Sequence, residues 1–270
     1  MGDFLERAAA YNSVEREIAT NLGDIAAAFS ASIIIARPAP GDAPAPRVFT
    51  ASGGLVELAG GAPCLITNKH VLDVYRAEAM SGPTVFECAD CALDPIARLW
   101  HEDESVDLAI IRMDGLRVRS SRSKLAGVSN LQLFQRATWP ADPVKPGDKV
   151  SFAGWPESRS SIDHDAMEVT FTGYIFIDME VRAVTDDQFS LLFERSKWHG
   201  VFGWETPEAM AERDLSGLSG APIFREALRN GIIISELVGF VKEYQPTLDY
   251  LIATSANNIL PDGRITPFRP

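Results

Sequence analysis

Two series of short β-forming runs, separated by turn residues, set the tightest limit on what this chain can fold into. The first series is SIIIA, VFTASGGLVEL, PCLITN, TVFEC, IARLWH and DLAIIRM, between Ser32 and Met113. A polar stretch and FQRATWPADPVKPGD follow. The second series is KVSFAGW, MEVTFTGYIFIDMEV, FSLLFER, APIF, IIISELVGFVKEY and YLIATSA, between Lys149 and Ala256. Gly, Pro, Asp and Asn stand between most of them, at hairpin spacing. Many short strands in two runs imply an all-β sandwich or barrel pair rather than alternating strand and helix units. RPAPGDAPAPR, Arg37 to Arg47, places Pro at alternate positions and reads as an exposed extended loop.

Ahead of the strands the period changes. Tyr11, Val14, Ile18, Leu22, Ile25 and Phe29 step by three or four residues, which predicts one helix with a single apolar stripe. The stripe packs on the domain behind it, and it is also a candidate docking face for an activating or regulatory protein. The chain has 270 residues, 46% of them hydrophobic, enough to bury a large β core.

The formal charge is 25 − 37 = −12. Nucleic-acid binding needs clustered Lys and Arg to displace phosphate counterions. The one short basic stretch, LRVRSSRSK from Leu116 to Lys124, reads as a solvated connector, so no nucleic-acid partner is expected. No apolar run is long enough to span a bilayer. The N-terminal residues lack the basic start and apolar centre of a secretory signal. The expectation is a cytoplasmic protein without a membrane partner. Three cysteines, Cys64, Cys88 and Cys91, cannot all pair, which disfavours a disulfide-stapled secreted fold. CADC is a single C-x-x-C without the second pair that a structural zinc site needs. It reads as a plain turn, and no metal or cofactor is expected.

Nucleophilic hydrolysis by serine needs a hydroxyl beside an imidazole, an acid to hold that imidazole in the right tautomer, and N–H groups to receive a developing oxyanion. Only four histidines can serve: His70, His101, His164 and His199. His70 follows the apolar run CLITN, where a strand ends. Asp107 opens the run VDLAIIRM. Ser219 lies in Gly217-Leu218-Ser219-Gly220-Ala221-Pro222. Gly217 lets the backbone turn so that the N–H groups of Gly217 and Ser219 converge, and Gly220 leaves room for a substrate chain. Chain order separates the enzyme types. The α/β-hydrolase elbow needs a histidine after the serine, and none follows Ser219. The subtilisin order needs an acid upstream of His70, and Asp24 and Asp42 do not stand at a suitable strand end. The order His70, Asp107, Ser219 is that of the chymotrypsin-like double barrel.

CLITNKHVL, VDLAIIRM, VKPGDKVSFAGWPE, GLSGAPIF and LVGFV together resemble the successive signature segments of trypsin-like serine peptidases, most closely the disulfide-free, HtrA-like bacterial branch without a PDZ domain. The resemblance covers about residues 30 to 260, in order. It implies two six-stranded antiparallel β-barrels with the site between them. It divides the chain into a helical segment (1–30), a first barrel with its connector (31–140), a second barrel (141–262) and a tail (263–270). His70 is then the general base, Asp107 its orienter and Ser219 the nucleophile of a serine endopeptidase acting on polypeptide. The N–H groups of Gly217 and Ser219 form the oxyanion hole.

The sequence departs from the family at two positions. Leu218 replaces the usual Asp or Asn before the serine, so activation by an ion pair to a new N-terminus is not expected. Ala221 replaces a glycine, which requires a negative φ there. By position, the substrate pocket falls to Arg213, Asp214, Lys242 and Tyr244, whose charges conflict. Two readings stay open: a serine endopeptidase, and an inactive relative that uses the barrels as a protein-binding module.

Overall fold

The structure is a computed structural model that describes residues 23–38, 46–58, 60–116, 132–135, 141–156, 160–163, 168–171, 173–193, 215–229 and 232–267. Within them the chain is mostly strand. The first sheet holds β1 (Ser30–Arg37), β2 (Arg47–Leu58), β3 (Ala62–Thr67), β4 (Val85–Cys88), β5 (Cys91–Leu93), β6 (Leu99–Asp103), β7 (Leu108–Arg112) and β8 (Phe134–Gln135). The second holds β9 (Lys149–Gly154), β12 (Tyr174–Val184), β13 (Gln188–Leu192), β14 (Pro222–Arg229), β15 (Ile232–Gln245) and β16 (Tyr250–Ser255). Between β9 and β12, β10 (Ser160–Asp163) and β11 (Glu168–Phe171) form a separate hairpin.

Among the described residues, only one of the two expected barrels is closed. The second sheet closes in the order β12-β13-β16-β15-β14-β9. The first runs β5-β4-β1-β2-β3-β7-β6, with β8 pairing β2, and stays open. Closure requires the two edge strands to meet in register. Here the edges are β5, which is three residues long, and β6, which pairs only with β7 among the described strands.

Period-two alternation along each strand explains how the sheets meet. In β7, Ala109 and Ile111 point into the first sheet's own core, while Leu108 and Ile110 point the other way. In β3, Leu65 joins the first set and Cys64 and Ile66 the second. The barrel does the same. In β15, Val238 and Val241 fill the barrel interior, while Leu237 and Phe240 leave it, the spacing of three coming from the register shift against β14 between Ile223 and Phe224. The outward sets merge into one core between the sheets, with Val56, Ala153, Trp155, Ile175 and Phe224. This is why VDLAIIRM reads as a continuous apolar run: both faces of β7 are buried.

The end of the N-terminal segment enters that shared core, with Phe29 the one residue of the expected stripe placed against it among the described residues. Residues 23–28 are helical (α1), with Ala26 and Ala27 fully buried. Phe29 packs edge-on against Phe134 at 5.1 Å and against Phe224 of β14 at 5.7 Å. Tyr11, Val14, Ile18 and Leu22 lie outside the described residues, as does most of the basic stretch. No helix among the described residues is long and apolar enough to cross a membrane.

The second helix, α2 (Lys69–Ser81), is absent from the strand-by-strand expectation. Its buried face is short: Val71 and Leu72, then Glu78. A charged residue ends the stripe because Arg37 and Arg47 pair with Glu78 at 2.6 and 3.1 Å. CADC is a hairpin turn. Cys88 and Cys91 face each other across β4 and β5, and Ala89 and Asp90 between them have φ of 49° and 59°, the pattern of a tight two-residue loop. All three cysteines are free.

Burial pushes the Cys64 thiol up to about 12, with the nearby Asp114 charge adding to it. Burial raises the Cys88 thiol as well. The thiolate is the reactive form, so both should be silent toward a thiol reagent in the native state. We expect a disulfide-exchange reagent at pH 8 to titrate no more than Cys91 in folded protein, and all three thiols in denaturant.

Candidate active site

His70 is not at the strand end itself. β3 stops at Thr67, and His70 sits in the first turn of α2. Asn68 precedes the helix at φ −77°, ψ 149°, but its side chain makes no cap bond. Its Nδ2 donates instead to the Asp107 carbonyl at 2.9 Å. That carbonyl belongs to the turn joining β6 to β7. Asp103 shapes the turn: its Oδ1 accepts from the Ser105 amide and hydroxyl at 2.8 and 2.6 Å. From the barrel, the Thr254 hydroxyl donates to the Val106 carbonyl at 2.9 Å. Asp107 then takes φ of 54°, a left-handed conformation that Asp tolerates better than most residues.

This backbone aims the Asp107 carboxylate at His70 twice. Oδ2 lies 2.8 Å from the ring Nδ1, and Oδ1 accepts the His70 backbone N–H at 2.9 Å. One carboxylate therefore fixes both the position of the residue and the rotation of its ring. Asp107's side chain is 14% exposed, and the imidazole is 47% exposed. The pair is shielded on the acid side and open on the ring side. Nε2 has no hydrogen-bond partner among the described residues.

Ser219 comes from the other sheet, in the loop before β14. Two tight turns build that loop: the Leu218 amide donates to Leu215 O at 3.2 Å, and Ala221 to Leu218 O at 2.9 Å. Gly217 and Gly220 hold φ of 94° and 88°, where a side chain is strained. Ala221 is not among the left-handed residues, as its substitution for glycine requires. Gly220 does not leave room for a substrate. A Cβ there would lie 2.1 Å from the Ser52 carbonyl and 2.4 Å from the Thr67 hydroxyl, so the space is filled by β2 and β3. That contact brings the serine loop against Thr67, three residues before His70.

The burial of Leu218 explains why an apolar residue stands before Ser219. It is 1% exposed in the barrel interior, and a Cβ on Gly154 would lie 2.7 Å from its methyl. Leu215 is buried in the same core. The loop is anchored by apolar burial on both sides of Gly217.

The backbone amides of Gly217 and Ser219 donate to nothing among the described residues. Their carbonyls are engaged. Gly217 O accepts from the Ser52 hydroxyl at 2.7 Å, and Ser219 O accepts from the Ser52 amide at 2.9 Å. The Ser219 hydroxyl donates to the Lys242 carbonyl at 3.3 Å, and no hydrogen bond joins it to His70.

The four pocket candidates divide. Lys242 borders the serine through that carbonyl. Tyr244 turns its hydroxyl to Asp249 Oδ1 at 2.8 Å and packs edge-on against Phe193 at 5.5 Å. Arg213 and Asp214 lie outside the described residues, as do His164 and His199. His101 lies apart, its Nδ1 accepting the Ile265 amide at 3.4 Å. Asn68 and Ser52 were not legible as site residues: both act through bonds to residues far along the chain, 39 and 165 positions away. No family model matches the chain, and no curated protein matches it.

Two substitutions test this construction by urea unfolding. Gly220→Ala adds left-handed strain of about 1–2 kcal/mol and overpacking of about 1–3 kcal/mol. Leu218→Asp, the residue more usual in trypsin-like peptidases, places an unpaired carboxylate in the barrel core. It should cost about 3 kcal/mol or more. A Leu218→Asp variant as stable as the parent would show that the side chain is not anchored there.

Proposed function

We propose that this protein is a serine hydrolase of the trypsin-like type, an endopeptidase that cleaves polypeptide through a covalent acyl intermediate. The observation that carries the reading is the amide pair of Gly217 and Ser219, both without a partner among the described residues and set on either side of Leu218. Left-handed Gly217 and buried Leu218 hold that arrangement before any substrate arrives. Preset donors of this kind stabilise a tetrahedral oxyanion, and removing one typically costs about 2.7–4 kcal/mol at the transition state.

In this reading His70 Nε2 takes the Ser219 proton as the hydroxyl attacks the scissile carbonyl, then returns it to the leaving amine. Asp107 keeps Nδ1 protonated and faces the imidazolium that forms. The Ser219 hydroxyl must leave Lys242 O to meet the imidazole. Apo hydrogen bonds of this type are often loose and tighten on substrate binding.

An extended peptide fits the strand geometry beside the serine. β14 pairs β15 only as far as Pro222↔Phe240, while β15 continues to Gln245 along β16. Lys242 sits at a register shift in that continuation. The three free thiols suit a reducing compartment such as the cytoplasm. A second reading, a binding module on the same scaffold, draws on the Ser219 hydroxyl's bond to Lys242 rather than to His70.

A fluorophosphonate probe separates the two. Labelling of the wild type that disappears in Ser219→Ala and His70→Ala supports the hydrolase. Asp107→Asn should fold normally, since Asn also tolerates left-handed φ, yet label about ten thousandfold more slowly because it favours the wrong tautomer. A wild type that never labels, in the presence of casein or other unfolded protein as well, rejects the enzyme and leaves the binding module.

A further inference from the structure

One residue in the first sheet makes an unusual number of bonds to the serine loop. Ser52 is fully buried in β2. Its neighbour on one side is β1, through the pair Ser32↔Ser52. On the other side β3 joins the β2 ladder only from Gly54↔Ile66 onward, so Ser52 lies beyond the end of that ladder. Every polar atom of Ser52 on that side finds another partner. Its amide donates to Ser219 O at 2.9 Å, and its carbonyl accepts the Thr67 hydroxyl at 2.8 Å. Its hydroxyl donates to Gly217 O at 2.7 Å and accepts the Trp155 amide of the barrel at 2.9 Å.

The consequence is geometric. Gly217 O and Ser219 O flank the Ser219 amide, one of the two that the hydrolase reading uses, and the Gly217 amide lies one residue ahead of the first carbonyl. Each backbone dihedral between those two carbonyls affects where the Ser219 amide points. Fixing both carbonyls from one rigid strand fixes the segment at its two ends. The hydroxyl's donor and acceptor roles are both used, and Trp155's amide locks its rotation, so the Gly217 bond has one direction available. An alanine here would keep the bond from the Ser52 amide and lose both hydroxyl bonds, to Gly217 O and from the Trp155 amide.

We infer that Ser52 is a positioning residue for the oxyanion hole, acting through the carbonyls of Gly217 and Ser219 rather than on the substrate. This rests on the hydrolase reading above. The loop-ordering role can be measured without it.

The experiment compares Ser52→Ala with Ser30→Ala in the full chain. Ser30 is a fully buried hydroxyl that also crosses between the sheets, to Ala153 O at 2.8 Å, without touching the serine loop. Ser30→Ala loses one buried hydrogen bond, and Ser52→Ala loses two, the one to Gly217 O and the one from the Trp155 amide, so the site-specific readouts below, rather than overall stability, separate the variants. We expect fluorophosphonate labelling of Ser52→Ala to slow at least about tenfold, since small misplacements at a reacting centre have effects of this size or larger. Ser30→Ala should stay within about twofold of wild type, as expected for a distant, independent site.

The pH at which labelling rises should not move in Ser52→Ala, because the His70–Asp107 pair is untouched. A lower plateau at an unchanged midpoint, seen in Ser52→Ala and not in Ser30→Ala, separates loop positioning from disturbance of the His70–Asp107 pair. Hydrogen exchange gives the second readout. Peptides covering Leu218 to Ala221 should exchange about tenfold faster or more in Ser52→Ala and not in Ser30→Ala. If Ser52→Ala fails to fold, Ser52→Cys keeps the volume with a weaker donor and should give smaller changes in the same direction.

Equal labelling of Ser52→Ala and wild type, or equal losses in both alanine variants, overturns the inference. If the wild type does not label at all, the hydrolase reading falls. Loop exchange then decides on Ser52 alone: faster exchange confined to Ser52→Ala keeps the loop-positioning role, and unchanged exchange removes it.

Discussion

The candidate site is divided between two sheets, so the packing of their shared core governs everything else. His70 and Asp107 belong to the first sheet and Ser219 to the barrel. No covalent link near the site holds them in register. Their relative position depends on the shared apolar core and on a few hydroxyl bonds across it, from Ser30, Ser52 and Thr254. Apolar burial is strong but non-directional. The hydroxyl bonds supply direction, each between a buried side chain and a backbone carbonyl on the opposite sheet. Gly54 shows how close the approach is: a Cβ there would lie 2.9 Å from Phe240 and 3.1 Å from Pro222.

Much of this was legible in the sequence, and the limits have physical causes. Strand existence followed from β-branched runs and turn residues because those signals are local. β7 could be read as buried because alternate residues feed two different cores. The openness of the first sheet was not readable, since closure depends on whether distant edges meet, and β5 carries no signal of being too short to do so. Helix α2 was missed because its apolar face spans little more than one turn before Glu78, whose burial depends on two arginines outside the helix. The pairing of His70 with Asp107 came from residue order. The bonds made by Asn68 and Ser52 did not, because nothing near either residue records a partner so far along the chain.

Leu218 shows what an apolar side chain does at the position before the candidate serine. A charged residue before the serine can be switched, because its partner can be made or removed. An apolar side chain fitted over Gly154 has no such partner. Its contribution is present whenever the barrel is folded, so the conformation of the loop follows the stability of the barrel. Any control over the site would then have to act on access or on the first sheet.

Past Val241, which still bonds Ala221 and Gly220, β15 runs on beside β16 alone among the described strands, and an edge of that kind carries a further cost. A strand edge that accepts a substrate segment also accepts the edge of another molecule, and such edges are common starting points for aggregation. Lys242 and Glu243 lie on this continuation, and Glu243 is exposed. Two adjacent opposite charges on an edge make close approach of a second apolar strand costly, while a peptide anchored elsewhere can still lie alongside. The register shift at Lys242 also bends the edge out of the flat geometry that sheet-to-sheet growth requires. The residues that border the candidate nucleophile therefore also disfavour edge-to-edge pairing with a second molecule.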